Sequence, residues 1–369
     1  MKIQALVSAG ITAILLGALV APVVFIPVES ASAATSFSVR REATRRRAIL
    51  ARKATLARQV TLARRPAPVV NVAPAPVAPT APTAPAADRW IGTYVTGSAE
   101  NMTTLTALEG QVGQKFSVRN YFQNTSQGFT EVQASAISAH GAIPMATLEF
   151  QNPALGTGMS GGTYSQIAAG SMDAYLQRYA RNAAAYGKPV WLRPFHEMNG
   201  DWYPWSGTAA GNTSADFIAA WRHVHAVFAA EGATNVKFVW SPNADSVPNT
   251  TANAIAKYWP GDAYVDYIGL DGYNFGTTAA TWRSFSSVFG AAYAAVAGLS
   301  SKPIFIAETG TGTVGGDKAA WIASMFKTIP TSFSRIVGVT WFNANKERDW
   351  RIESSTASLN SFKTNSAAF

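Results

Sequence analysis

Eight short apolar runs recur from residue 88 to the C-terminus, and no other feature constrains the fold as much. They are WIGTYV (90–95), KFSVRNYF (115–122), IPMATLEF (143–150), PVWLRPFHE (189–197), VKFVWSPN (236–243), VDYIGLDGYN (265–274), PIFIAETG (303–310) and IVGVTWFNAN (336–345). Continuous apolar runs, unlike alternating ones, suit strands covered on both faces, which is the condition of a parallel sheet. Helix-length segments separate them, among them 171–187 and 214–232, and both of these end in the Gly that commonly closes a helix. Eight such strand–helix units predict an α/β fold, a (β/α)8 TIM barrel spanning 88–369. A doubly wound open sheet would carry a Gly-rich phosphate turn after its first strand, and none is present.

The N-terminal part has a different character. Residues 1–34 read as an export signal, with Lys2, an apolar stretch from about Ala5 to Ile26 and the small-residue site Ala31-Ser32-Ala33. A basic segment with a loose hexad repeat (AILARK, ATLARQ, VTLARR) follows. It gives way at Pro66 to a Pro/Ala/Val-rich stretch with the composition of an extended spacer, so 35–87 is expected to be a disordered linker. The formal charge of +9 belongs to this region. Ten Lys and Arg between Arg40 and Arg65 face only Glu42, whereas nineteen of each sign balance between Asp88 and Phe369. The high isoelectric point therefore does not make the main domain a nucleic-acid binder; the tail is suited at most to weak contact with an anionic cell envelope. The chain has no Cys, which excludes disulfides, thiolate nucleophiles and Cys-based zinc sites.

Chemistry in such a barrel is expected where strands run out at their C-terminal ends. Polar residues gather there: His196-Glu197-Met198-Asn199 after strand four, Asp271-Gly272-Tyr273-Asn274 at strand six, Glu308-Thr309 at strand seven and Trp341-Phe342-Asn343 at strand eight. A carboxylate closing an apolar strand is costly to bury without a partner or a task. Strands four and seven are expected to face each other across the barrel, so Glu197 and Glu308 make a candidate acid/base pair. Glycoside hydrolysis needs such a pair, one carboxyl protonated and one ionised. Arg193, four residues before Glu197, is expected to serve another partner, since direct contact would keep Glu197 ionised. Eleven Trp in a chain only 14% charged suit a groove that stacks on sugar faces.

The run WLRPFHEMNGDWYPW (191–205) closely resembles the strand-four signature of glycoside hydrolase family 26, a barrel family of retaining endo-glycanases. IAETG (306–310) looks like that family's nucleophile strand and VTWFNANKERDW (339–350) like its eighth strand. The resemblance implies that Glu197 is the acid/base, Glu308 the nucleophile and Tyr273 the tyrosine that orients it. It further implies that Trp341 forms the floor of the sugar subsite at the cleavage point, that His196 lines it, and that Trp202 and Trp205 stack the leaving-group sugar. One departure stands out: the family's mannanases usually carry a histidine near the end of strand three, where this chain has Glu149-Phe150-Gln151. His140 precedes that strand.

The remaining histidines suggest no metal, since His223 and His225 lie two apart on a helix and face different ways. No cofactor motif is present. The expectation is a secreted, monomeric retaining endo-β-glycanase that cleaves β-1,4-linked hexose polysaccharide, mannan first and mixed-linkage β-1,3-1,4-glucan second. A non-catalytic carbohydrate-binding barrel would not need both carboxylates. An envelope protein whose basic tail is the functional part would not need the barrel's chemistry.

Overall fold

The computed structural model describes residues 89–369. The leader over 1–34, the linker over 35–87 and the boundary between linker and barrel lie outside the described residues. Eight parallel strands close into a barrel in sequence order: β1 (Trp90–Val95), β2 (Val118–Asn124), β3 (Ile143–Glu149), β4 (Val190–Pro194), β5 (Val236–Trp240), β6 (Tyr267–Asn274), β7 (Ile304–Thr311) and β8 (Ile336–Asn343). β4 and β7 are not directly opposed; β5 and β6 alone stand between them on the shorter way round. Helices follow most strands: α1 (Thr103–Val112), α2 (Glu131–Ala139), α3 (Tyr164–Ala168), α4 (Asp173–Tyr186), α5 (Ser214–Ala230), α6 (Phe285–Leu299), α7 (Lys318–Ser332) and α8 (Thr356–Ser366). Between β5 and β6 the chain makes three short 3-10 turns where a helix was expected.

Local chemistry explains the boundaries. α4 stops at Gly187, whose φ of 72° lies in the left-handed region that Gly enters without a Cβ penalty. Thr213 caps α5 by accepting from the Asp216 N–H at 3.1 Å, and Asp317 caps α7 by accepting from Ala320 N–H at 3.0 Å. β2 starts three residues later than its apolar run, because Lys115 turns outward to Glu109 and the Phe116 N–H donates to that carboxylate.

Alternation sorts each strand into an outer face, packed under the helices, and an inner face. Trp90, Val118, Met145, Trp191, Val239, Phe305 and Ala307 plug the lower interior. Gly92 lets β1 approach β2 and β8, since a Cβ there would lie 2.9 Å from both Val118 and Thr340. Above the plug the interior turns polar, with Asn120, Thr147, Arg193, Ser241, Asp271 and Glu308. A bulge makes the last of these possible. Leu270 pairs with Ile306 but Asp271 pairs with Glu308, so Ala307 is the extra residue. Without it Glu308 would share the outward side of Ile306; with it the carboxylate turns inward.

Candidate active site

The site begins with a buried arginine. Arg193, on the inner face of β4, is fully buried, and each of its three guanidinium nitrogens donates to a neighbouring side chain. Its Nε donates to Thr147 Oγ1 at 2.9 Å, Nη1 donates to both Asp271 oxygens at 2.9 and 3.0 Å, and Nη2 donates to Glu308 Oε1. Asp271 and Glu308 together hold the guanidinium firmly charged despite its burial. Arg193 therefore serves Asp271 and Glu308, with no hydrogen bond to Glu197.

Glu308 receives a second donor from β6, since Tyr273 OH lies 2.7 Å from its Oε2. Burial and the neighbouring carboxylates raise the Tyr273 phenol well above its ordinary range, so it stays a donor. Each Glu308 oxygen thus accepts one bond, from a cation on one side and a phenol on the other. That arrangement fixes the rotamer of an acceptor carboxylate.

Glu197 is positioned differently. β4 ends at Pro194 rather than running to 197, and both Phe195 and Glu197 sit at positive φ, 52° and 54°. Such backbone is uncommon outside Gly and persists only where its surroundings over-determine it. Here the Glu197 N–H donates to Ser241 O at 2.8 Å, while Phe195 is swung into the outer core and stacks on Phe150. The turn leaves Glu197 over the barrel mouth. Asn243 Nδ2 donates to its Oε1 at 2.7 Å and Trp202 Nε1 to its Oε2 at 2.6 Å. Asn199 in turn clamps Asn243, accepting from its backbone N–H and donating to its carbonyl, both at 2.8 Å. Burial first, then the charge of Glu308, pushes Glu197 up to about 7 against the opposing hydrogen bonds of Asn243 and Trp202.

The aromatic residues divide. Trp202 is exposed beside Glu197, where an indole face is available to a sugar. His196 is buried between Phe122 and Tyr203, with Nε2 3.1 Å from Tyr203 OH. Burial and the nearby Arg193 charge lower its pKa well below the usual value, so it is neutral. Trp205 and Trp341 do not line the cleft, contrary to the expectation from the sequence. Trp205 is fully buried behind it, its Nε1 donating to His196 O and its ring stacked on Tyr203. Trp341 pairs in register with Thr93 on the helix-facing side of β8 and packs against Trp321 and Phe362. The inward residue is its neighbour Phe342, stacked on Tyr94 at 4.5 Å and grouped with Phe122, Tyr273 and Trp350. Strand parity decides this, and a motif match does not carry parity. His140 is engaged with Glu109 at 2.7 Å and His223 with Asp173 at 2.6 Å, while His225 packs on Phe238. No cluster of potential metal ligands occurs among the described residues.

Residues 128–312 match the sequence profile described as Glycosyl hydrolase family 26. The chain belongs to glycosyl hydrolase family 26. Endoglucanase H of Acetivibrio thermocellus is 41% identical over 283 residues, covering 74% of this chain and 29% of that protein. A mannan endo-1,4-beta-mannosidase of Bacillus subtilis is 29% identical over 153 residues, covering 36% of this chain and 41% of the relative. The chain thus spans less than half the length of either relative. A modular endo-β-1,4-mannanase from Cellulomonas fimi superposes with a TM-score of 0.57 over 76% of this chain and 70% of its own, at 19% identity, a likeness of fold alone. The family's barrel is the fold found here.

Proposed function

We propose that this family 26 chain is a retaining endo-β-glycanase that hydrolyses β-1,4-linked hexose polysaccharide, with mannan as its first substrate. The observation that carries the reading is the unequal treatment of two carboxyls at one barrel mouth. Glu197 is raised to about 7, while Glu308 accepts from a buried arginine and a phenol. That division of labour suits an acid and a nucleophile. In the first step Glu308 attacks the anomeric carbon as Glu197 gives its proton to the departing glycosidic oxygen. In the second, Glu197 takes a proton from water, and that water's oxygen displaces Glu308 from the sugar. Glycosylation removes the Glu308 charge, so Glu197 becomes more acidic between the steps and is ready to serve as the base.

A second substrate, β-glucan, is favoured by the greater identity to a protein named Endoglucanase H. The N-terminal leader adds the proposal that the enzyme works outside the cytoplasm as a monomer, its basic tail resting on an anionic envelope. The test is a panel of mannan, lichenan, cellulose and xylan with wild type, Glu308→Ala and Glu197→Ala. Glu308→Ala should be inactive on all; Glu197→Ala should keep activity only toward aryl glycosides whose leaving group needs no proton. Near wild-type turnover by both variants would overturn the reading.

A further inference from the structure

Glu149, the last residue of β3, is a third carboxyl at the same mouth, and neither step above uses it. It lies two residues beyond Thr147 on the inner face of the barrel, and Thr147 is the residue that accepts from Arg193 Nε. Glu149 therefore stands one rung above the arginine layer. It is half-buried, and Gln151 Nε2 donates to its Oε2 at 3.0 Å, while among the described residues no hydrogen bond or ion pair engages Oε1. Among the charges acting on it, Glu308 is foremost and Lys346 next. Lys346, in the loop after β8, also acts on Glu308 and Glu197, yet its ion pair is with Glu347 at 3.1 Å and not with Glu149. An acceptor-only carboxylate at the end of β3 and a donor-only ammonium, whose Nζ lies 5.9 Å from the ring centroid of the cleft residue Phe342, therefore both stand at the barrel mouth without being joined to each other.

A sugar hydroxyl is both donor and acceptor, so two neighbouring hydroxyls can give a hydrogen to Glu149 and take one from Lys346. Burial beside Glu308 penalises the bare Glu149 carboxylate, and a hydroxyl donor would offset that penalty. We propose that Glu149 and Lys346 form a hydroxyl-reading pair for the sugar held beside Glu308, and that this pair sets which hexose the enzyme prefers. The inference rests on the glycanase reading but concerns binding, so it is testable without turnover.

The experiment measures calorimetric binding of mannotetraose and of cellotetraose in a Glu308→Gln background, alone and with Glu149→Gln, Lys346→Met or both added. Glu149→Gln preserves size and removes the charge. The preferred oligosaccharide should bind about tenfold more weakly in each variant, as expected for loss of one charged hydrogen bond. The preference ratio between the two sugars should shrink, and the double variant should lose less than the product of the single losses, since both contact one sugar. Melting temperatures should not change. Affinities within twofold of the background for both sugars, with the ratio unchanged, would overturn the assignment. So would absence of binding to either sugar before the second substitution. A wild type that binds these sugars but cleaves no glycan would refute the proposed activity and leave the pair's role measurable.

Discussion

Replacing Glu308 by Gln should lower the pKa of Glu197, because it removes a negative charge that opposes Glu197 ionisation. Two unit charges roughly 5.5 Å apart, the spacing of a retaining pair, interact by roughly 3 kcal/mol at an effective dielectric of about 20, or about two pH units. The structure reduces that figure. Arg193 sits directly on Glu308 and cancels part of its field at Glu197, and burial is the larger cause of the rise to about 7. The expected drop is therefore about one unit, with Glu197 remaining above an exposed Glu near 4.3 because its burial persists. Removing Glu308 also leaves Arg193 less neutralised, which acts in the same direction. The assay is a 13C NMR titration of the Glu197 side-chain carboxyl in wild type and Glu308→Gln. An unchanged or higher value in the variant would mean that the two carboxyls do not sense each other, and the division of roles would lose its electrostatic basis.

Other expectations follow from single contacts. Arg193→Met leaves Asp271 and Glu308 buried without their cation and should cost about 3–5 kcal/mol in urea unfolding; a loss under about 1 kcal/mol would show the network to be dispensable. Trp341→Ala should cost a similar ~3–5 kcal/mol through its cavity while leaving KM unchanged in the folded protein, whereas Trp202→Ala should lower kcat/KM without moving Tm. Asn243→Ala removes a bond that favours the ionised form of Glu197, so the alkaline limb of the kcat/KM profile, where Glu197 loses its proton, should move to higher pH. A limb that stays put or moves to lower pH would mean that Asn243 does not tune Glu197.

The barrel was legible because its strands are apolar throughout, and all eight runs keep their boundaries within about three residues. The two carboxyls were legible because each closes such a run. Backbone irregularity was not. The left-handed residues Phe195 and Glu197 end β4 early, although alternation would have extended it to 197. The extra residue Ala307 turns Glu308 inward, and nothing in IAETG marks a bulge. Both irregularities occur at the two carboxyls proposed to react, and functional sites are where local rules are expected to give way. Parity also misled at β8, where Trp341 faces the helices and Phe342 the cleft. Asn243 ends the fifth apolar run and was passed over; a polar residue at the C-terminal end of a barrel strand was the available signal. Asn199 could not be read as its clamp without the fold.

The central claim is that Glu308 attacks the sugar and Glu197 supplies and then recovers the proton. Proton NMR of the first product released from whichever β-glycan the enzyme cleaves fastest tests this most directly, if recorded before mutarotation. Attack by Glu308, followed by water from the opposite face that the leaving group has vacated, predicts a new reducing end that appears first as the β-anomer, with the α-anomer growing in later. An α-anomer formed first would mean a single direct displacement by water and would contradict the account.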